Sequence, residues 1–358
     1  MKLGIVGLPN VGKTTLFNAL TGSSAETGGY TNAAAKPNIG TAKVPDERLD
    51  WLAEYYHPKK YSPATIEFVD IPGVSSGAGK GNEVFQAIRQ TDALVEVVRC
   101  FDNDDLFLES ADAVRDAGNF ELELILADLE IVERRLERAK KNAKGGDKKY
   151  KRECEMCEAL LQHLGEEKPA RDFEFGEEDR DILADGGLLT IKPVIYAANL
   201  DEGGMSAYEE NAQFRALSDY AQERGAAVLP VAARFEEDIA GMEEDEARMF
   251  MEDLGLSETG LARLIRTSYD LLGYISFLTA GEDDVHAWTI VRGTKAPKAA
   301  GKIHTDIERG FIRAEIVSFE DLKACGSMAA ARDKGLFRLE GKEYVMQDGD
   351  VTQFRFNV

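Results

Sequence analysis

The sequence predicts an α/β protein in which a doubly wound parallel sheet is interrupted by a helical hairpin and followed by a small α+β domain. Three observations predict this fold. An apolar run from Lys2 to Val6 leads through a glycine-rich loop into a helix. Apolar residues recur every three or four positions between about residues 118 and 165, and short strands replace that pattern after Gly273. We therefore expect a sheet domain at 1–117 and 186–273, a hairpin at 118–185 and a last domain at 274–358.

The composition excludes several classes of protein. The 358 residues include 43 Lys and Arg against 65 Asp and Glu, a formal net charge of −22. This charge argues against a uniformly basic nucleic-acid-coating protein and against a polybasic membrane binder. The chain has no apolar run of about 18 residues, so we expect no transmembrane helix. Four cysteines do not form a disulfide framework in a chain of this length, and the expected location is the cytoplasm.

The glycine-rich loop fits the phosphate-binding pattern G-x-x-x-x-G-K-[ST] from Gly7 to Thr14. Glycines let the backbone approach phosphate oxygens, and the N–H groups of the loop and of the next helix face the anion. Lys13 is expected to reach the β- and γ-phosphates, and the Thr14 hydroxyl to bind Mg²⁺. The alternative is a glycine-rich turn that binds nothing. The predicted nucleotide-binding residues of this loop are Asn10, Val11, Gly12, Lys13, Thr14 and Thr15.

A second part of the same site is predicted at the end of a later strand. The segment from Thr65 to Val69 is typical of a strand and ends in Asp70-Ile71-Pro72-Gly73. At such a position Asp70 can hold Mg²⁺ through water, and Gly73 can present its N–H to the γ-phosphate. The alternative for Asp70 is an ordinary turn residue.

The loop expected to bind the base departs from the guanine-binding pattern N-K-x-D. An apolar strand ends in Asn199-Leu200-Asp201-Glu202, so Leu200 replaces the Lys and Glu202 replaces the Asp. The longer acid moves the carboxylate by one methylene, which should weaken its pairing with guanine. A later strand leads to Ala232-Ala233, where a second loop at the edge of the base is expected. The alternative for Asn199 is a residue that caps a turn.

The hairpin predicted for residues 118–185 has a basic tip. Ten Lys and Arg and two acids lie between Arg134 and Arg152. They indicate either an electrostatic contact with RNA phosphates or a solvated helix face. Cys154 and Cys157 form a lone C-x-x-C pair, too few ligands for zinc, which favours packing or surface thiols. Two acidic runs, 166–185 and 236–253, account for much of the negative charge and are interpreted as solvated loops and helix surfaces.

The last domain is expected to be a ubiquitin-like mixed sheet with a short helix at residues 295–302. Basic residues crowd its first half, which indicates either a surface that faces a partner or RNA, or ordinary surface charge. His304 is interpreted as structural. The basic residues are Arg292, Lys295, Lys298, Lys302, His304, Arg309 and Arg313.

Taken together, these motifs resemble the YchF-type P-loop ATPases, the Obg-like ATPase family. The resemblance covers the whole chain and is carried by GLPNVGKTTLFNALT, by VVRCF at Val97 to Phe101 and by the N-x-x-E loop at 199–202. The block from Ala300 to Leu322 is similar to the TGS domain of that family. The resemblance implies a cytosolic ATPase that prefers ATP to GTP and associates with the ribosome. It also implies that Asn199 faces adenine and that the TGS and helical domains form a positive cleft for RNA.

Three departures from the family pattern concern hydrolysis. Ala33-Ala34-Ala35-Lys36 precedes Pro37-Asn38 where the family has a Thr, which leaves Thr31 or Thr41 to replace it. The second switch reads Asp70-Ile71-Pro72-Gly73-Val74 where the family usually has D-I-A-G-L, and the stretch from Ser75 to Asn82 is shorter than in the family. The apolar Val74, which fits the family pattern, cannot orient an attacking water. The loop after Phe101 lacks the His that the family places there. Turnover without a partner should therefore be slow.

The sequence thus supports the hypothesis of a nucleotide-dependent switch that binds ATP with Mg²⁺ and slowly transfers its phosphoryl group to water. Lys13 and Gly73 are the predicted catalytic residues, because they would neutralise and orient the transferring group. The predicted metal ligands are Thr14 and Asp70. Two alternatives are a GTPase of the same fold and a nucleotide-gated binding module with little hydrolysis. The chain is expected to be a cytoplasmic monomer without membrane contact. Its expected partner is the large ribosomal subunit or RNA, bound through the hairpin tip and the TGS domain.

Overall fold

The computed structural model describes residues 2–25, 37–73, 81–103, 107, 109–145, 147–176, 178–179, 187–253 and 255–357. The strands are β1 (Lys2–Val6), β2 (Asn38–Lys43), β3 (Lys60–Ser62), β4 (Thr65–Asp70), β5 (Ala93–Arg99), β6 (Val194–Asn199), β7 (Ala227–Val231), β8 (Tyr274–Ala280), β9 (Asp284–Val291), β10 (Phe311–Ser318), β11 (Arg338–Glu340) and β12 (Asp350–Phe356).

The helices range from five to 31 residues in length. They are α1 (Lys13–Thr21), α2 (Glu47–Tyr56), α3 (Gly81–Arg89), α4 (Ala113–Ala143), α5 (Lys148–Gly165), α6 (Ala212–Glu223), α7 (Ala233–Ala240), α8 (Glu244–Asp253), α9 (Gly260–Leu271), α10 (Ala296–Ile303), α11 (Thr305–Arg309), α12 (Phe319–Cys325) and α13 (Met328–Asp333). The described residues also form two 3₁₀ segments. Ala170–Asp172 precedes β6 in the chain, and Glu202–Glu210 follows it. Among the residues described, no helix is both long and apolar enough to cross a lipid bilayer.

The first sheet has the strand order β2-β4-β1-β5-β6-β7. β1 pairs in parallel with β4 and β5, and β6 pairs in parallel with β5 and β7. All residues of β5 and β6 are buried, as expected for central strands of a parallel sheet covered on both faces. Because the strands are parallel, the loops that follow β1, β4, β6 and β7 leave the same edge, where ligands of open α/β sheets bind.

The helical hairpin is confirmed, although its first helix begins at Ala113 rather than near residue 118. The Asp112 side chain caps that helix by accepting a hydrogen bond from the Arg115 N–H, which fixes the earlier start. Helices α4 and α5 pack through one apolar cluster that includes Val132, Leu136 and Leu160. Cys157 is fully buried in the same cluster, so the packing interpretation of this thiol is confirmed.

The second sheet has the order β11-β10-β12-β8-β9-β3. β8 and β12 form a parallel central pair, and β9 and β10 flank them in antiparallel orientation. This is the mixed sheet expected for the last domain. Its core includes Phe277, Ile316 and the small residues of α10, which begins at Ala296 and contains Ala299 and Ala300.

The chain packs as two compact units, Met1–Thr41 with Glu67–Leu264 and Ala42–Ile66 with Ile265–Val358. The predicted sheet domain at 1–117 differs from this division, because its segment 42–66 belongs to the second unit. In that unit β3 pairs in parallel with β9, and Trp51 of α2 packs edge-to-face against Phe319 with ring centroids 5.7 Å apart. Apolar spacing identifies α2 as amphipathic but cannot identify the sheet that it covers, so the sequence did not predict this assignment.

Candidate nucleotide-binding site

The loop from Gly7 to Gly12 has the backbone geometry that a phosphate-binding loop requires. Gly7 has a φ of 134°, and a Cβ atom there would lie 2.5 Å from the carbonyl oxygen of Val97. Gly12 has a φ of 97° and immediately precedes α1. Only glycine adopts these conformations without strain. Asn10, which has a φ of 64°, occupies the left-handed region between them, where Asn is tolerated.

Lys13 is held at the first position of α1 with its ammonium group inside the loop. Its side chain is buried, and Nζ donates a hydrogen bond to the Leu8 carbonyl at 2.6 Å. Burial lowers the pKa of Lys13 to about 8, against the opposing charge of Asp70. A Cβ atom on Gly73 would lie only 3.1 Å from Nζ, so the backbone of Gly73 closely approaches the ammonium. The structure therefore brings together both predicted catalytic residues.

Thr14 and Asp70 meet at the end of β4. The Thr14 hydroxyl donates a hydrogen bond to Asp70 Oδ2 at 2.9 Å. Burial raises the pKa of the Asp70 carboxyl, while hydrogen bonds from Thr14 and Asn38 and the charge of Lys13 act in the opposite direction. A buried carboxylate beside a hydroxyl suits a hard cation such as Mg²⁺, which prefers oxygen ligands. The two predicted metal ligands are therefore adjacent.

Asn199 connects the phosphate loop to the predicted base loop. Its Nδ2 donates to the Val11 carbonyl and its Oδ1 accepts from the Ala233 N–H, both at 2.9 Å. The residue is buried, and a Cβ atom on Gly12 would lie 2.5 Å from Nδ2. Asn199 therefore caps no local turn. It joins three segments that are distant in sequence.

The other predicted base-loop residues differ in exposure. Leu200 is buried in the core, and its N–H donates to the Val231 carbonyl at 2.8 Å. Ala232 and Ala233 are also buried, and their side chains carry no polar atom, so a polar contact from them to a ligand would use the backbone. Glu202 is exposed at the start of its 3₁₀ segment. Thr15 is half-buried in α1.

Several sequence predictions fall outside the residues that the structure describes. Thr31 and the Ala33-to-Lys36 stretch of the first switch are among them, as are Val74 and most of the loop after Phe101. Thr41, the other predicted substitute in the first switch, is exposed in β2.

Two buried polar residues near the site were not predicted. Asn18 of α1 makes two hydrogen bonds of 2.9 Å with the backbone of Ala25 and so fixes the chain as it leaves α1. Glu236 of α7 is only 1% exposed, so its interpretation as part of a solvated acidic run is wrong. The sequence did contain a signal for Glu236, because it shares the apolar stripe of Phe235 and Ile239.

The hairpin retains unpaired positive charge at its tip. Arg135, Lys140 and Arg152 form ion pairs with Glu153, Glu158 and Asp179. Six further cations are exposed and form no ion pair with any residue described in the structure. They are Arg138, Lys141, Lys144, Lys148, Lys149 and Lys151.

The cysteines provide no metal site. All four are free thiols, and Cys154 is half-buried next to the buried Cys157. Within the described part of the chain, no group of three or more His, Cys, Asp or Glu side chains is arranged to hold a metal ion.

Two family models match the chain. A model described as a 50S ribosome-binding GTPase, MMR_HSR1, matches residues 2–131. The YchF-GTPase_C model, described as a protein of unknown function (DUF933), matches residues 274–357. The first match covers the phosphate loop and Asp70, and the second covers the mixed sheet from β8 to β12.

Relatives match over the whole length. The chain is 48% identical over 361 residues to "Ribosome-binding ATPase YchF" of Bacillus subtilis (strain 168), with 99% of each chain covered. The chain belongs to the YchF family. It is also 40% identical over 366 residues to "Obg-like ATPase 1" of Oryza sativa subsp. japonica, covering 100% of this chain and 92% of the relative.

A solved member of the YchF family has the same fold. The structure entitled "Structure of the Schizosaccharomyces pombe YchF GTPase" superposes with a TM-score of 0.87 at 36% identity, covering 99% of this chain and 97% of that one. The predicted family and fold class are therefore confirmed. The names of the relatives differ between ATPase and GTPase, and the residues on the base side of the site bear on the choice of nucleotide.

Proposed function

We propose that this chain is a cytoplasmic nucleotide switch that binds ATP, hydrolyses it slowly and associates with the ribosome. The arrangement of Lys13, Thr14, Asp70 and Gly73 carries the proposal, because it places a buried ammonium, a hydroxyl, a carboxylate and a close backbone segment at one sheet edge. The names of the YchF relatives, which describe ribosome-binding ATPases, support the same activity.

In the proposed mechanism the chain acts mainly by positioning and charge. The loop N–H groups and the N-terminus of α1 would bind the phosphates, and Lys13 would neutralise the charge that develops on the transferring group. The Gly73 N–H would orient that group. Thr14 and Asp70 would hold Mg²⁺, which when bound supplies further neutralisation of phosphate charge. Val74 has no polar atom in its side chain, so the chain should hydrolyse ATP slowly until a partner completes the site.

The base side supports ATP over GTP. Glu202 occupies the position at which a guanine-specific loop has an Asp, and Asn199, Leu200, Ala232 and Ala233 would form the pocket around the base. The Asn199 side chain is already engaged within the chain, because its Nδ2 donates to the Val11 carbonyl and its Oδ1 accepts from the Ala233 N–H. We therefore propose that the loop backbone, rather than the Asn199 side chain alone, reads the adenine edge.

The nucleotide is tested by competition. ATP and GTP should displace a fluorescent ATP analogue from the purified chain in the presence of Mg²⁺, with ATP effective at the lower concentration. A clear preference for GTP would contradict the role proposed for Asn199 to Glu202. Hydrolysis should be slow in single-turnover measurements and faster when ribosomes are added. Absence of product over hours, with or without ribosomes, would favour a binding module.

The partner is proposed to be the large ribosomal subunit, which the exposed cations of the hairpin tip would contact through RNA phosphates. The description of the matching family model as a 50S ribosome-binding GTPase supports this choice. A chain with Lys144, Lys148 and Lys149 changed to Glu should sediment with 50S subunits to a smaller extent than the unchanged chain when the salt concentration is raised. Substitution of the exposed Lys59, which pairs with Asp283 far from the tip in sequence, provides the control. Equal sedimentation of all three chains would remove the hairpin from the proposal.

A further inference from the structure

The strongest unexplained feature near the site is the buried carboxylate of Glu236 on α7. Its Oε1 accepts a hydrogen bond from the Gly260 N–H at 2.6 Å. Its Oε2 is buried and has no hydrogen-bond partner among the residues that the structure describes. Burying a carboxylate is unfavourable unless its contacts compensate, so this side chain is expected to have a specific role.

Gly260 brings the start of α9 against the end of β7. A Cβ atom on Gly260 would lie 2.8 Å from the Pro230 carbonyl oxygen, 2.8 Å from Glu236 Oε1 and 3.4 Å from the Val231 Cα. Two of these contacts are closer than real Cβ atoms approach, so a side chain at position 260 would push α9 away from the strand. The missing side chain therefore allows the close contact.

These two contacts lie on either side of the Ala232-Ala233 loop. β7 ends at Val231, immediately before the loop, and α7 begins at Ala233. Gly260 contacts the strand that enters the loop, and Glu236 holds the first turn of the helix that leaves it. Asn199 holds the loop from a third direction through the Ala233 N–H.

The chemistry of the contact favours a carboxylate at position 236. The first turn of α9 contains no acidic residue of its own, and its N–H groups carry partial positive charge. Thr259 satisfies the Ala262 N–H through its hydroxyl at 3.0 Å, whereas the Gly260 N–H is satisfied by Glu236 from another helix. Burial opposes ionisation and raises the pKa of Glu236 to about 7, while the Gly260 and Leu261 N–H groups and the charge of Arg263 act in the opposite direction.

We propose that Glu236 is a positioning residue for recognition of the nucleotide base. By tying α7 to the N-terminus of α9, it fixes the Ala232-Ala233 loop at the distance that the base requires. Glu236 itself touches no nucleotide in this proposal. The inference rests on the proposed function, in which that loop binds the base, and it names the contact that holds the loop in place.

The test separates base recognition from phosphate binding. Dissociation constants for ATP and for inorganic triphosphate, each with Mg²⁺, are measured by calorimetry at pH 7.5 for the full chain. Glu236→Ala should weaken ATP binding by about tenfold, the effect of losing one hydrogen bond to a charged group, and should leave triphosphate binding within about twofold. Glu236→Gln keeps an acceptor oxygen and should retain most of the ATP affinity.

A matched control lies on the same helix. Asp238 is an acid of α7 whose side chain is 57% exposed and whose pair with Arg234 is at 4.0 Å. Asp238→Ala removes the same charge without affecting the contact to α9, so it should leave both affinities unchanged. A loss in Asp238→Ala equal to that in Glu236→Ala would overturn the proposal, because helix charge alone would then explain the effect.

The remaining outcomes are also decisive. A folded Glu236→Ala chain that keeps the wild-type ratio of ATP to triphosphate affinity overturns this inference alone. A wild-type chain that binds ATP no more tightly than triphosphate overturns the proposed base recognition and this inference together. If Glu236→Ala does not fold, Gly260→Ala takes its place. It should lower the same ratio by displacing α9, and an unchanged ratio in that folded chain overturns the proposal.

Discussion

The phosphate side and the base side of the site are built in different ways. The phosphate side lies almost entirely within Gly7 to Thr14, where the glycine conformations and the start of α1 follow one another in the chain. The base side is assembled from β6, β7, α7 and α9, which are joined by hydrogen bonds between residues 34 and 24 positions apart, and Asn199 connects it to Val11 of the phosphate loop, 188 positions away. Binding of phosphate is therefore determined by local sequence, whereas selection of the base depends on tertiary packing.

The largest effect that tests this comparison is expected on the phosphate side. Lys13→Ala should weaken binding of ATP, GTP and triphosphate alike by about 100-fold or more, because it removes the buried ammonium that meets the phosphates. Circular dichroism should show an intact fold, since the substitution also removes a costly buried charge. Affinity close to that of the wild type for any of the three ligands would remove the loop from the mechanism.

A smaller and more selective effect is expected at the junction of the two sides. Asn199→Ala leaves the Val11 carbonyl and the Ala233 N–H without their side-chain partner. ATP binding should weaken by about tenfold, and triphosphate binding by less, because the loop at Ala233 is displaced more than the glycine loop. Titration calorimetry with both ligands measures the difference. Equal losses of affinity for ATP and for triphosphate would mean that the base side and the phosphate side of the site are not separable.

The pH dependence of phosphate binding provides a third test. Burial lowers the pKa of Lys13 to about 8, so the free chain loses this positive charge as the pH rises through that value. A bound triphosphate should raise the pKa again, and binding should then take up a proton. Triphosphate affinity is expected to fall by up to about tenfold per pH unit above pH 8. Calorimetry in buffers of different ionisation enthalpy checks the proton uptake, and constant affinity from pH 7 to 9.5 would contradict it.

The smallest expected effect concerns stability on the base side. Burial raises the pKa of Glu236 to about 7 from an ordinary value of 4.5. The folded chain therefore keeps this proton at a pH where the unfolded chain has lost it, and the stabilisation disappears as the pH rises from about 4.5 through 7. Glu236→Gln does not titrate, so its melting temperature should rise relative to the wild type by a few degrees between pH 5 and pH 8. A difference that is constant with pH would exclude the raised pKa.

The same contrast explains what the sequence could and could not predict. The strand, glycine loop and helix at the N-terminus, Asp70 and the hairpin were predictable, because each depends on neighbouring residues or on regular spacing. An acid on a charged helix is usually solvated, whereas Glu236 is buried where the start of α9 packs against the end of β7. The double role of Asn199 likewise depends on segments that no local pattern connects.

The second unit shows the same limit at the level of domains. Strand and helix patterns of the last domain were predicted closely, for example the short helix at 295–302, which is Ala296–Ile303 in the structure. The sequence did not indicate that α2 and β3 complete this unit. Both lie in the chain between strands of the first sheet. They contact residues more than 200 positions away, and the periodicity of apolar residues cannot predict such contacts.

The placement of segment 42–66 in the second unit limits how the chain can be cut into fragments and how its C-terminal unit can be exchanged between genes. A fragment beginning at residue 274, where the C-terminal family model begins, would omit the strand beside β9 and the helix whose Leu49 and Leu52 are fully buried. The fragment would lose the burial of these two side chains and expose the apolar surface that they cover, at a cost of roughly 3–6 kcal/mol, enough to unfold many small domains. A single recombination event could therefore not exchange the C-terminal unit between genes, because its coding sequence is split by the nucleotide-binding unit.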